Sequence, residues 1–212
     1  MTESASFLPG LSPLRGKPVH VTFDGGTGND KINGGTGVDI ALYSGTTALV
    51  FDLSGTTDKV TQGSAVDTLT GIEGGSGSSG ADTFRGDAAN NFFRGGDGKD
   101  TATGGAGADT YYYVSAQNSP ATSGRDVITD FVHGQDKLNL ARIDPDSAHA
   151  GDQAFHWLGH SALGTTPGDL AWFTSGTNTI VQGNTDTDTA AEFWIQLNGN
   201  VGASLAATDF VL

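Results

Sequence analysis

The chain has 212 residues, 33 of them glycine, about twice the usual share, and a formal net charge of −14. Its 24 acidic residues are 21 Asp and only 3 Glu, so the carboxylates sit on turn formers rather than helix formers, which excludes an all-helical protein. The charge argues against nucleic acid or an anionic membrane surface and in favour of cations; the lack of Cys excludes disulfides and thiolate metal sites, and no apolar run reaches the roughly 18 residues of a membrane span.

Residues 1–15 read as a flexible leader, without the basic-then-apolar pattern of an N-terminal secretory signal. After a degenerate Gly16–Asp24 repeat, a nine-residue period sets in with Gly25-Gly26-Thr27-Gly28-Asn29-Asp30 and Gly34-Gly35-Thr36-Gly37-Val38-Asp39. Tyr43 to Ile72 interrupts it: Ala48–Leu53 reads as a strand, Ser54–Thr57 as a turn, and Lys59–Thr61 and Thr68–Thr70 as two further strands. At Gly71-Ile72-Glu73-Gly74-Gly75 an apolar strand position is taken by Gly75, so a loose stack is expected there.

The period resumes with a weaker copy, Gly77-Ser78-Ser79-Gly80-Ala81-Asp82, and a degenerate one, Gly86-Asp87-Ala88-Ala89-Asn90-Asn91. Two full copies follow, Gly95-Gly96-Asp97-Gly98-Lys99-Asp100 and Gly104-Gly105-Ala106-Gly107-Ala108-Asp109. Two residues beyond each sixth position stands a mostly apolar side chain: Phe23, Ile32 and Ala41, then Phe84, Phe93, Ala102 and Tyr111. A six-residue Gly-rich turn can take positive φ and aim its carbonyls at one point, and the Asp adds a charged oxygen. The next three residues form a strand whose central side chain points inward. Stacked coils of this kind make a right-handed parallel β-roll, and their clustered hard oxygens suit calcium rather than zinc or copper.

Beyond Tyr111–Val114, strands are expected at Asp126–Phe131 and Asp136–Leu140, joined by the turn 133–135, then at Asp169–Thr174, Asn178–Gln182, Glu192–Leu197 and Asp209–Leu212. His156 and His160 stand four apart, but no Glu follows the first and no third ligand lies downstream, so they read as surface or edge residues rather than a zinc site. Asn184-Thr185-Asp186-Thr187-Asp188 with Glu192 has the alternating oxygens of a calcium loop without its sharp-turn Gly, and reads as a polar hairpin tip. Asp126, Asp130 and Asp136 are open to two readings, an extra calcium site or solvated turn acids.

The GGxGxD turns with their apolar ninth-residue phase resemble the RTX proteins. The order of elements over about residues 21–212 resembles the C-terminal region of serralysin-type metalloproteases, most closely at the repeats, at Asp126–Phe131 and at the terminus. The resemblance implies calcium held between turns two repeats apart. Asp30, Asp39, Asp82, Asp100 and Asp109 would supply carboxylates, and Gly26, Gly28, Gly35, Gly37, Gly96, Gly98, Gly105 and Gly107 would supply carbonyls. Turn 77–82 would face 95–100, and 86–91 would face 104–109, where Asn91 removes a carboxylate. The first block lacks partners of its own and would be completed by turns after residue 70. The ending Asp209-Phe210-Val211-Leu212 is similar to the serralysin-family terminus, an uncleaved export signal read by a type I secretion channel.

The expected fold is therefore all-β: a roll over 16–113 with an excursion at 43–72, then a β-sandwich-like module over 114–212 carrying the signal. The expected function is that of a non-catalytic, calcium-binding module of a secreted, extracellular protein, monomeric and not inserted in a membrane, that folds on meeting calcium outside the cell. Two alternatives stay open: the carboxyl-terminal part of a secreted enzyme, a serralysin-type protease or an alginate epimerase, or a calcium-dependent adhesin or surface protein.

Overall fold

The computed structural model describes residues 22–122, 124–146, 148–151 and 153–212. The leader expected at 1–15 lies outside the described residues, as does most of the degenerate Gly16–Asp24 repeat. The strands are short because Gly-rich turns interrupt them every few residues. In chain order they are β1 (Thr22–Asp24), β2 (Lys31–Asn33), β3 (Ile40–Leu42), β4 (Leu49–Asp52), β5 (Asp58–Gln62), β6 (Ala65–Thr70) and β7 (Gly74–Ser76). Then come β8 (Thr83–Arg85), β9 (Phe92–Arg94), β10 (Thr101–Thr103), β11 (Thr110–Tyr112), β12 (Asp126–Ile128) and β13 (Lys137–Asn139). The series ends with β14 (His156–Gly159), β15 (Asp169–Ser175), β16 (Asn178–Gly183), β17 (Phe193–Leu197) and β18 (Phe210–Val211).

Successive repeat strands alternate between two facing sheets, so strands two repeats apart pair in parallel. One sheet runs β1-β3-β7-β9-β11-β13-β18, all parallel; the other runs β14-β15-β16-β17-β12-β10-β8-β4-β5-β6-β2. The central residue of each repeat strand faces inward as the sequence register requires: Ile32, Ala41, Phe84, Phe93, Ala102 and Tyr111 are all buried. Aromatic rings knit the interior together, with centroids 5.9 Å apart for Phe51–Phe84, 5.4 Å for Phe84–Phe93, 6.0 Å for Phe93–Tyr111 and 6.3 Å for Tyr111–Phe131. Each fully buried Phe contributes about 1.5–3 kcal/mol of transfer free energy, so this column carries much of the roll's core.

Two expectations are corrected. The stack at Gly75 is not loose: all of β7 is buried, and a methyl on Gly75 would land on the ring of Phe51, which crosses from the opposite sheet and fills the missing side chain's place. The excursion 43–72 supplies that ring. Its strands β4, β5 and β6 form an antiparallel meander inserted in the second sheet, with β4 handing on to β8 and β6 to β2. Nor do residues 114–212 build a sandwich of their own. Among the described residues, β12 and β13 add one more coil to the same two sheets and β17 and β18 another, while the antiparallel β15–β16–β17 ribbon widens one sheet. Consequently β12 and β13 lie in different sheets, and the turn 133–135 crosses between them. His156 and His160 lie at and just beyond the edge strand β14, His160 stacked on Trp172 at 4.3 Å.

Candidate metal centre

Two glycine roles are separable in each turn. At Gly34, Gly77, Gly95 and Gly104 the first glycine has no space for a side chain because the carboxylate that ends the turn folds back over it, while at Gly25 the side chains of Tyr43 and Asp67 take that space. A methyl on Gly77, Gly95 or Gly104 would land on Oδ2 of Asp82, Asp100 or Asp109 respectively, and one on Gly86 would land on Oδ1 of Asn91. The second and fourth glycines of the full copies take left-handed backbone, as at Gly96 (φ 100°) and Gly98 (φ 123°), which L side chains rarely adopt. No described non-glycine residue has positive φ, so the turns 77–82 and 86–91, with Ser78, Asp87 and Ala89 at those places, follow a different backbone path. The two kinds of turn stack alternately. The carbonyl oxygens of Ser78 and Gly80 lie where a methyl on Gly96 or Gly98 would stand, and those of Asp87 and Ala89 lie where one on Gly105 or Gly107 would.

The terminal carboxylates form two ladders, one along each edge of the roll, in which a carboxylate oxygen accepts the main-chain N–H of its counterpart one coil earlier. On one edge Leu49 N–H donates to Asp82 Oδ1 (2.9 Å), Asp82 N–H to Asp100 Oδ1 (2.8 Å) and Asp100 N–H to Asp126 Oδ1 (2.8 Å). On the other edge Asp39 N–H donates to Glu73 Oε2 (2.8 Å), Asn91 N–H to Asp109 Oδ1 (2.8 Å) and Asp109 N–H to Asp136 Oδ1 (3.0 Å). Asp67 does the same for the first turn, accepting from Asp30 N–H at 2.8 Å. The ladder thus satisfies main-chain donors that would otherwise be buried unpaired.

Stacking carboxylates this closely raises their affinity for protons. Burial above all, then the neighbouring charges of Asp82 and Asp97, pushes Asp100 up to about 7. Burial and the charge of Asp100 push Asp126 up to about 8; burial, with the charges of Asp136, Asp130 and Asp87, pushes Asp109 up to about 6. Asp82 and Asp136 are raised too, chiefly by burial. Asp82 has both oxygens engaged, Oδ2 accepting from Ser78 N–H at 2.6 Å and the Ser78 hydroxyl also in reach. Asp100 differs. It is 3% exposed and its Oδ2 has no hydrogen-bond partner, beside a cavity of about 20 Å³ lined by Phe84, Gly95, Tyr113 and Asp126 among others. A buried, unpartnered carboxylate oxygen among further carboxylates fits a hard divalent cation and suits no anion.

The structure sorts the residues singled out from sequence. The stacking of 77–82 on 95–100 and of 86–91 on 104–109 is as expected. The turn 34–39, carrying Gly35, Gly37 and Asp39, is completed by Gly71 and Glu73, as the expected turns after residue 70. The turn with Gly26, Gly28 and Asp30 packs on Tyr43 and Asp67 instead of a second Asp-ended turn. Asp126 and Asp136 stand on opposite ladders, and Asp130 accepts from Gly104 N–H and Gly105 N–H (both 2.9 Å), so these three are not one site. Asp186, Asp188 and Glu192 do converge, with oxygens within 4.8 Å of one another, between the antiparallel β16 and β17. Sequence reasoning missed Asp67, Glu73, Ser78 and Tyr43, which lie outside the full GGxGxD copies.

Stacked Gly–Asp turns joined by three-residue strands in two facing sheets define a parallel β-roll of the RTX type. The model of the Peptidase M10 serralysin C terminal family matches residues 19–212, and the chain belongs to that family. Among solved structures it is similar to the R2 subunit of the mannuronan C5-epimerase AlgE6 from Azotobacter vinelandii (29% identity, 68% of this chain and 81% of that one, TM-score 0.46). It is also similar to the R3 subunit of that enzyme (21% identity, 94% and 84%, TM-score 0.46). A third likeness is to the extracellular lipase LipA of Serratia marcescens (16% identity, 90% of this chain but 38% of that one, TM-score 0.42). No curated protein matches the chain significantly.

Proposed function

We propose that this chain is the calcium-binding RTX module of an extracellular protein exported by a type I secretion apparatus, and that it orders when it meets calcium outside the cell. The observation that carries the reading is Asp100 Oδ2, a buried carboxylate oxygen without a partner inside a ladder of carboxylates. The residues proposed to hold the ions are Asp100 and Asp109 with the turns of Gly96, Gly98, Gly105 and Gly107, and Asp30 and Asp39 with those of Gly26, Gly28, Gly35 and Gly37. Asp82, with both oxygens already accepting, holds its own turn in shape. A bound calcium ion supplies two positive charges and a demand for six to eight oxygens. The chain's part is to present those oxygens on stacked turns, which the ladder and the missing side chain of each first glycine keep in register.

Without such charge compensation, 24 acidic groups and 33 glycines oppose ordering through repulsion and backbone entropy. A disordered chain of this kind suits passage through a secretion channel, with Asp209-Phe210-Val211-Leu212 as the proposed export signal. The family match supports a second element of the reading, that the module serves a secreted enzyme as its carboxyl-terminal part. Circular dichroism tests the central claim. In EDTA the chain is expected to give a coil-like spectrum that turns to β on adding millimolar calcium, and a spectrum indifferent to calcium overturns the proposal.

A further inference from the structure

One stack in the roll carries the ladder while its oxygens are already matched by donors of the chain itself. Turn 43–48 lies against turn 77–82 and brings no acid: Leu49, whose N–H meets Asp82 as that of Asp82 meets Asp100, stands where the full copies carry Asp. Ser79 reaches the Gly45 carbonyl with its N–H (2.8 Å) and its hydroxyl (3.0 Å). The Gln62 amide nitrogen lies 3.4 Å from the Ser44 carbonyl oxygen and 3.3 Å from that of Thr47. The Ser78 hydroxyl stands where three oxygens converge, 3.1 Å from the Thr47 carbonyl and 3.1 and 3.2 Å from the two oxygens of Asp82. At the same turn position, 95–100 has Gly96, and the buried Asp100 Oδ2 keeps no partner. Gln62 comes from the excursion, which pairs locally. Its β4, β5 and β6 are antiparallel neighbours in sequence order, β8 joins beside β4, and Leu49, Phe51, Val60, Leu69 and Phe84 are buried along them. Such hairpins close short loops, and four strands with one apolar face can hold together, whereas the parallel coils pair only across a full turn, strand and turn.

We infer that residues 43–85 form a cation-independent core of the roll, in which Ser78, Ser79 and the excursion's Gln62 clamp two turns together with neutral donors, and that the flanking Gly–Asp coils are built onto this core when calcium arrives. For those flanking coils the inference rests on the calcium reading above. The core is a minor part of the 212 residues, so in EDTA the chain as a whole still gives a coil-like spectrum. It offers formed strands at both of its sides, β8 to β10 and β6 to β2. Each added coil then closes against an existing neighbour instead of starting on a disordered chain, as in other stacked-repeat folds.

Amide hydrogen exchange read by mass spectrometry on the full chain tests this. In EDTA, peptides from 49–85 are expected to exchange about tenfold or more slowly than peptides from 92–139, and calcium is expected to slow the second group while changing the first little. The double variant Ser78→Ala with Gln62→Ala is expected to lose the protection of 49–85 in EDTA, while 92–139 still gains protection from calcium. Equally fast exchange of both groups in EDTA, with calcium slowing both together, overturns the inference and leaves the calcium reading standing. A double variant as protected in EDTA as the unaltered chain overturns the role given to the clamp. Exchange that calcium alters in neither group overturns instead the functional reading on which the inference rests.

Discussion

Acidification in the absence of calcium should strengthen the roll, contrary to the usual behaviour of an Asp-rich protein. Asp126 titrates at about 8 and Asp100 at about 7 in the folded chain, against 3.8 for an unperturbed Asp. Between these limits the folded state binds more protons than the unfolded one, so stability is present at low pH and lost as pH rises through the folded values. From pH 8 to pH 5, Asp126 crosses three units and Asp100 two, worth about 4 and about 3 kcal/mol at roughly 1.4 kcal/mol per unit. The two carboxylates repel each other along one ladder, so protonating one relieves the other and the joint gain is nearer 4 than 7 kcal/mol, an order-of-magnitude figure. Asp209, held below its ordinary value, acts in the opposite sense but only below about pH 4. In EDTA, the β signal in circular dichroism and the urea midpoint should both rise from pH 8 to pH 5. In calcium the slope should reverse, because protons compete with the ion for the same oxygens. An EDTA-treated chain whose order falls or stays level on acidification would refute the reasoning.

Glycine substitutions should separate the two roles inside one turn. Gly95→Ala forces a methyl onto Asp100 and should cost more than about 2 kcal/mol in calcium, whereas Gly26→Ala meets open space and only its φ of 65° opposes it, about 1 kcal/mol, both read from urea midpoints. Phe51→Ala empties the ring that fills the place of a side chain at Gly75 and should destabilise the roll by about 3–5 kcal/mol, the usual range for a buried Phe, in the same assay. Asp209→Ala removes a fully buried carboxylate that accepts from Gly134 N–H and Ala206 N–H and contacts His133 Nδ1 at 2.7 Å. It should cost about 2–3 kcal/mol, seen as a lower melting temperature with calcium present.

Where the nine-residue period holds, its apolar phase placed Phe84, Phe93, Ala102 and Tyr111 in the interior, because a three-residue strand has only one inward position, while the pairing of strands two repeats apart followed from the two-repeat coil and the family resemblance. The turns were legible for a similar reason: in turns 95–100 and 104–109 each glycine answers to a local constraint, either a carboxylate five residues on or a positive φ. Legibility ended where the missing piece comes from far along the chain. Nothing near Gly75 announces that Phe51 covers it, and the Asp67 carboxylate reaches the Asp30 N–H across 37 residues. The two-sheet continuation through β12, β13, β17 and β18 was hidden for a related reason. Irregular connections such as 113–125 replace the nine-residue turn, so the coils go on although the period does not. In the site, Glu73 stood outside every GGxGxD copy and so gave no signal of its share in the ladder.

The ladders have a polarity with practical weight for anyone trimming this protein. Because each carboxylate reaches back to its predecessor's N–H, cutting coils from the carboxyl-terminal side strands turn donors such as Asp100 N–H and Asp109 N–H, whereas cutting from the amino-terminal side spares the turn donors but frees strand amides such as Thr101 N–H, which donates to the Asp82 carbonyl. Shortened versions should therefore keep the coil that follows the last turn they need, because that coil carries the carboxylate on which the turn's amide depends.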